Sequence, residues 1–572
     1  MAPSAKDFPA LCYSIIAAVA FSFCGLRLAM NPYVIQDDAR QHVFWMHRLI
    51  DSHLFPNDLI ADYFQAVAPL GYTSLYRFAA QVGVHPLLLN KILPLMLALA
   101  ATVYCFKLCH QLFPVPLAAM LSTVLLNQNL WMVDDLSSGT PRAFFYPLFL
   151  AFLYYLLKEH WGCLAAIALQ GLFYPQAVLI SSGIVVLRLL THQNNRLFLC
   201  GNLAMAVATL SFYAAKNLPF GPTITAQVAM QLPEFSATGR AAFFLDNPWS
   251  FWLVAPRSGF FPREWPYFLL MSFGCLLPIL QRFPAQFPLV QVSPPVSRRQ
   301  QRWQKQVKPY APFPVPLSPF PQNIIGQILL ASLAVYFLAH LWLFRLHLPS
   351  RYTHHSWRLV LALADGMVIT IFVDSLSRWL AQRVQLPRRT CGTLLTGIAI
   401  AIVLIPTYLV QAYPYRLGYV QGNFPALYQF FQQQPKDITI ASLTEEADFI
   451  PSFAQRSVLI AQEYAVPYHR GYYRQFRQRV IDTINAQYSQ SVAELQDFTA
   501  KYEVDFWLLD QSAFSPEYLH SDPWLMQFQP ATTSAVTTLE QGTPLLAQRH
   551  EECTVFENNN YRVLQAQCIL EN

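Results

Sequence analysis

Four short stretches of the chain bring side chains capable of polar chemistry next to long apolar runs. The first, IQDDARQH (35–42), sets Asp37 beside Asp38, with His42 one helical turn beyond Asp38. A carboxylate there can take the proton of an attacking hydroxyl. It can equally cap a helix start, but one Asp is enough for a cap and the pair leaves a carboxylate to spare. The second, VDDLSSGTPRAFF (133–145), holds Asp134, Asp135 and Arg142. Thr140–Pro141 reads as an N-cap followed by the first helical residue. Arg142 then falls in a first turn, where the helix dipole disfavours a cation, so an anionic partner or a lipid headgroup phosphate would account for it. Asp134 and Asp135 read equally as a solvated loop pair. The third, HLPSRYTHHSWRL (347–359), gathers Arg351, His354, His355 and Arg358 around Tyr352. Arginine binds phosphate bidentately. Neighbouring histidines can ligate a metal, although a lone pair of them is a weak signal. The fourth, 217–265, is aromatic, rich in proline and too long for a plain connection. It would cover a site or touch a membrane.

The elements that must position these residues are membrane spans. Of the 572 residues 54% are hydrophobic and only 12% charged, and the apolar residues come in blocks of spanning length. Spans are expected at 11–30, 87–106, 115–131, 143–158, 160–175, 176–191, 197–216, 266–281, 323–344, 358–376 and 391–411. Pro175, in FYPQ (173–176), would kink or end a helix, which splits 160–191 in two. The proline-rich loop 282–322 carries Arg282, Arg298, Arg299, Arg302, Lys305 and Lys308 without an acid. The loop 377–390 carries Arg378, Arg383, Arg388 and Arg389 without one. The positive-inside rule places both in the cytoplasm. With an inside N-terminus, about eleven spans put the loop 31–86 and everything after residue 411 on the outer side. The net charge of +6 does not signal nucleic acid, because its distribution is that of a membrane protein.

Residues 1–411 thus read as a transmembrane domain and 412–572 as an extracytoplasmic α/β domain. In the latter, 18 acidic residues outweigh 10 basic ones. DITIAS (437–442), part of SVLIAQEYAV (457–466) and VDFWLLD (504–510) read as strands, and 444–454 and 491–502 as helices, favouring a parallel or mixed sheet. No glycine-rich phosphate loop follows these strands. An oxidising exterior would allow Cys553 and Cys568 to pair. In the first outer loop, Val43, Phe44, Trp45, Met46, Leu49 and Ile50 form an apolar face suited to lying in the membrane interface.

Carboxylates, arginines and histidines therefore collect at span ends on one side of a greasy bundle. That suits a reaction between an amphiphilic lipid phosphate and a water-soluble acceptor. An inside N-terminus, one span, and then an outer loop with an acidic pair resembles the GT-C superfamily of membrane glycosyltransferases, in which an Asp or Glu of the first outer loop is essential. The resemblance implies a polyprenyl-phosphate-linked sugar as donor and a glycan, lipid or protein as acceptor. It also implies a multi-pass location among the lipids of a bacterial plasma membrane and, in some members, a divalent metal. Asp37 and Asp38 carry over as catalytic candidates, and LPSRY (348–352) more loosely as a basic outer segment containing Arg351. Arg142 and Arg351 are expected to hold the donor phosphate, with His42, His354, His355, Asp134 and Asp135 around them. A transporter or flippase, or a non-enzymatic envelope assembly factor, are the readings of other classes. A transporter would place ionisable groups mid-membrane in paired halves, yet Asp365 and Asp374 are the clearest intramembrane acids and no matched halves are evident.

Overall fold

A computed structural model describes residues 7–191, 195–216, 218–262, 272–280, 324–384, 387–409 and 417–571. The first helix, α1 (Phe8–Ala29), has a proline in its opening turn and runs straight into the first polar segment. There β1 (Val34–Gln36) leads directly into α2 (Asp37–His42). Two further helices, α3 (Leu59–Val67) and α4 (Leu70–Gln81), complete this segment. The bundle then continues through α5 (Pro86–Leu112), α6 (Pro116–Leu130), the short α7 (Asp134–Ser137), α8 (Phe145–Leu157), α9 (Gly162–Phe173), α10 (Gln176–Thr191) and α11 (Arg196–Ala214). It closes with α12 (Ile324–Leu341), α13 (Ser350–Val384) and α14 (Arg388–Leu409).

Among the described residues six of these helices, α1, α5, α11, α12, α13 and the first part of α14, are long and apolar enough to cross a membrane, and shorter apolar helices lie between them. The fold is that of a polytopic helical membrane protein followed by a small α/β domain. The break expected at FYPQ is present: α9 ends at Phe173 and α10 begins at Gln176, because Pro175 has no N–H to continue the ladder. The span expected at 266–281 falls inside the described residues only at 272–280, and the basic loop 282–322 lies outside them.

Lipid supplies no hydrophobic drive between helices, so close backbone approach and polar ties hold such a bundle together. Gly366 of α13 lies against Ser122 and Ala118 of α6 so tightly that a Cβ would fall 2.7 Å from the Ala118 carbonyl oxygen. Along the same seam Ser122 Oγ donates to the Leu363 carbonyl (3.3 Å), and Gln128 Nε2 ties α6 to α14 through the Val403 carbonyl (2.9 Å). Asn127 Nδ2 reaches Thr102 Oγ1 on α5 at 2.8 Å. Asp374, toward the far end of α13, is paired with Arg378 and Arg388 (2.8 and 2.7 Å).

After the bundle, β2 (Tyr419–Gln421) returns to the first polar segment and pairs antiparallel with β1, Val34 opposite Gln421 and Gln36 opposite Tyr419. The remaining strands, β3 (Thr439–Ser442), β4 (Ser457–Val458), β5 (Phe506–Asp510), β6 (Thr554–Glu557) and β7 (Tyr561–Gln565), form a mixed sheet of order β4-β3-β5-β7-β6. Strands β4, β3 and β5 run parallel and the β6–β7 hairpin antiparallel. The helix expected at 491–502 is Val492–Tyr502, with Ser491 as its N-cap. The one expected at 444–454 is a 3-10 turn (Glu445–Phe449) followed by a single α turn. A disulfide joins Cys553 to Cys568.

Two expectations fail. The polar stretch before residue 358 and most of the loop expected at 377–390 are helical, because α13 runs unbroken from Ser350 to Val384 and α14 starts at Arg388. The apolar residues after Asp38 do not form a lipid-facing helix. A 3-10 segment, Phe44–Leu49, replaces its second half, and Val43, Phe44, Trp45 and Met46 are buried in protein. Phe44 packs on Phe55 and on Tyr464 of the α/β domain (centroids 5.4 and 5.2 Å). Amphipathic spacing shows that a face is covered but not what covers it.

Candidate active site

The acid pair sits at the start of α2, and its position is set by the strand before it. The Asp37 N–H donates to the Gly418 carbonyl (2.7 Å), and Gly418 takes φ +70°, a conformation that suits glycine. Gln36 is the N-cap of α2, its side-chain oxygen accepting from the Ala39 N–H. Because Gln36 does the capping, both carboxylates are released from that duty, and they turn to different arginines. Asp37 pairs with Arg40, one turn along, and Asp38 with Arg142 from the start of the segment before α8. The other acids of the first loop have local tasks: Asp58 caps α3, Asp62 meets Arg48 (2.7 Å) and Asp51 meets Lys436.

Arg142 is the junction of two loops. Besides Asp38 it meets Asp134 Oδ2 at 3.0 Å and Asp135 Oδ1 at 3.8 Å. Thr140 and Pro141 hold the N-cap and first helical positions as expected, although the Thr140 hydroxyl bonds Ser138 rather than the helix. Asp135 is buried and in turn gathers the start of α13: Arg358, His355 (Nδ1 3.2 Å) and Arg351 (3.5 Å). Tyr146 donates to Asp135 Oδ2 at 2.9 Å and contacts His355 Nδ1 at 3.0 Å. Burial opposes the charge on Asp135, but His355 and Arg358 beside it hold its carboxyl well below the usual range. Asp37, Asp38, Asp134, Asp135, Arg142, Arg351 and His355 are thus brought into one constellation.

His42 stands near Asp38 and Arg142, and burial lowers its imidazole from the ordinary value while Asp38 opposes. His354 does not join its neighbour; its Nε2 donates to the Gly259 carbonyl (3.1 Å) in the long loop over the site. Thus the His-His pair divides its work between two partners. Among the described residues no group of three or more His, Cys, Asp or Glu is placed to hold a metal ion.

A second set of charges adjoins the first and was not singled out from the sequence. Arg40 is shared between Asp37, Glu463 (2.9 Å) and Asp448 (3.5 Å), the last two from the α/β domain. Arg240, from the long loop, also meets Glu463 (2.8 Å). Three carboxylates thus face two guanidiniums, and a proton retained among them would bring the group to neutrality. Burial pushes Glu463 up to about 8, with Arg240 opposing and Asp37 adding to the rise. Burial likewise pushes Asp448 up to about 6 against the pull of Arg40. His347, before α13, is driven down to about 3 by burial and by the positive Arg351. The long loop 218–262 fastens to the same region, with Ser350 Oγ donating to the Pro256 carbonyl at 2.8 Å.

No protein-family model matches the chain, and no curated protein sequence matches it either. Solved structures of similar arrangement include the Archaeoglobus fulgidus oligosaccharyltransferase in its apo form, with a TM-score of 0.48 and 11% identity over 90% of this chain and 72% of that one. They also include oligosaccharyltransferase AglB of the same organism in complex with an inhibitory peptide and a dolichol-phosphate, with a TM-score of 0.44 and 12% identity over 93% and 72%. A third is ArnT from Cupriavidus metallidurans in the apo state, with a TM-score of 0.44 and 13% identity over 97% and 98%. No residue role is carried over from any of them.

Proposed function

We propose that the chain is a membrane glycosyltransferase that moves a sugar from a polyprenyl-phosphate donor to an acceptor on the extracytoplasmic side of a plasma membrane. The observation that carries this reading is the convergence of Asp37, Asp38, Asp134 and Asp135 with Arg142, Arg351 and His355 at one end of the apolar bundle. The cluster is drawn from the segments that follow α1 and α6 and from the starts of α8 and α13, so a lipid held between helices would present its headgroup to it.

The chemistry follows from how far each group is committed. Asp37 is 42% exposed and is the carboxylate of the pair most open to a substrate, so it takes the proton of the acceptor hydroxyl. The acceptor oxygen forms its bond to the anomeric carbon as the bond from that carbon to the phosphate oxygen breaks, and polyprenyl phosphate leaves as an anion. Arg351 is 25% exposed and shares Asp135 with the closer Arg358, which leaves it freest to meet the developing charge. Asp38 and Asp134 hold Arg142 in place between the two loops.

Deleting the gene and profiling lipid-linked sugars and envelope glycans is the direct test. A donor should accumulate and a glycan should lose a sugar, restored by the wild-type gene. Asp37→Asn, accumulating to normal levels, should restore less than about a hundredth of the transfer, the usual worth of a general base. Full restoration by the Asp37→Asn, Asp38→Asn double variant would remove the assignment.

A further inference from the structure

Three carboxylates from two loops, Asp38, Asp134 and Asp135, gather around one side chain, Arg142. Converging carboxylate oxygens are the ligand set of a hard divalent cation, and the sequence resemblance implies such an ion in some members. The residues present do not fit one, because the place between them is filled by a side chain of the chain itself. Arg142 Nη2 contacts Asp38 Oδ2, lies 3.0 Å from Asp134 Oδ2 and donates to the Asp134 carbonyl at 3.0 Å, while Nη1 is 3.8 Å from Asp135 Oδ1. The other faces of Asp135 are taken by Arg358, His355, Arg351 and the Tyr146 hydroxyl.

Charge balance agrees with geometry. Asp38, Asp134 and Asp135 are matched one for one by Arg142, Arg351 and Arg358. A divalent ion added to that set would place two uncompensated positive charges where the side chains of Asp135 and Arg142 are only 4% and 10% exposed. Pro141 and Thr140 fix the start of the helical segment, so Arg142 is held in a first turn against the dipole and needs those acids to stay there. We propose that Arg142 is the resident cation of this carboxylate cluster, a guanidinium supplying the positive charge that the resemblance would assign to a divalent ion. Arginine keeps its charge at any physiological pH, so the field of the site is independent of metal supply.

The inference rests on the site proposed above, but its test uses no turnover, so either can fail alone. Full-length protein in lipid nanodiscs is stripped with chelator and titrated with Mn²⁺ while the electron paramagnetic resonance signal of free ion is counted. Wild type is expected to leave Mn²⁺ free up to ~1 mM, the weak limit of oxygen-ligand sites, and to unfold at the same temperature with chelator or with Mn²⁺. Arg142→Met, which removes the cation but keeps much of the bulk, is expected to bind one Mn²⁺ about tenfold or more tightly than wild type, equivalent to about 1.4 kcal/mol. Asp134→Asn in that background should abolish the gain. Arg142→Lys, which keeps a cation, should bind no better than wild type. Binding of one Mn²⁺ by wild type that is lost in Asp134→Asn overturns the proposal, as does a folded Arg142→Met with no gain. Should Arg142→Met fail to fold, the wild-type titration decides alone.

Discussion

Glu463 ties the α/β domain to the first polar segment through Arg40 and to the long loop through Arg240, which makes it the most informative residue to neutralise. In the folded chain it keeps its proton up to about 8, against 4.5 for a free glutamate. Folding therefore takes up a proton between those values. The stability this confers is present in full below about pH 4.5 and is lost as pH rises through about 8. At its ceiling the displacement is worth about 5 kcal/mol. Asp448 draws on the same arginine, so titration is spread over that pair and about 2 kcal/mol is the expected net loss between pH 6 and 9. For a domain of this size that lowers the unfolding midpoint by about 4–8 °C. Glu463→Gln leaves an oxygen to accept from the arginines but nothing to titrate. Its midpoint, followed by intrinsic fluorescence in nanodiscs, should be nearly flat over the same interval. A wild-type midpoint that holds steady from pH 6 to 9, or an equally steep fall in Glu463→Gln, would refute the assignment of a shared proton to this cluster.

Arg358→Met removes the closest cation from buried Asp135 and should cost about 3 kcal/mol, read as a lower unfolding midpoint and partly recovered by adding Asp135→Asn. Replacing Cys553 and Cys568 with alanine releases a link across 15 residues and should cost the α/β domain about 3 kcal/mol in chemical denaturation, with a wild-type curve in excess reductant moving to match. Gly366→Leu places a side chain into the Ala118–Ser122 turn of α6 and should abolish monodisperse protein on size exclusion, whereas Gly392→Leu, which meets nothing within 4 Å, should not.

Most spans and the acid pair were legible because both are local signals, whereas the ends of α13 were not, its polar first turns from Ser350 and basic last turns to Val384 reading as loops. Arg142 was legible for a similar reason, as a cation in a first turn has to be explained. Glu463 and Asp448 carried no such mark. In IAQEYAV the glutamate reads as an ordinary residue near a short strand, and only its partners Arg40 and Arg240, 423 and 223 positions away, give it meaning. Such pairings have no period. The helix Arg470–Gln487 was legible in principle: Tyr472, Tyr473, Phe476, Val480 and Ile484 make a buried stripe at helical spacing. Its many arginines and glutamines obscured that stripe. The face from Val43 to Met46 was identified as apolar and then assigned to lipid, when the domain at the other end of the chain covers it.

The short ladder between Val34–Gln36 and Tyr419–Gln421 has a consequence for timing. The backbone that orients residues 37 and 38 is made only after the last helix of the bundle. A ribosome must therefore extend the chain through the whole helical bundle before these two aspartates can take up that geometry. A nascent or prematurely terminated product would lack that ladder and leave the two aspartates without the backbone that orients them.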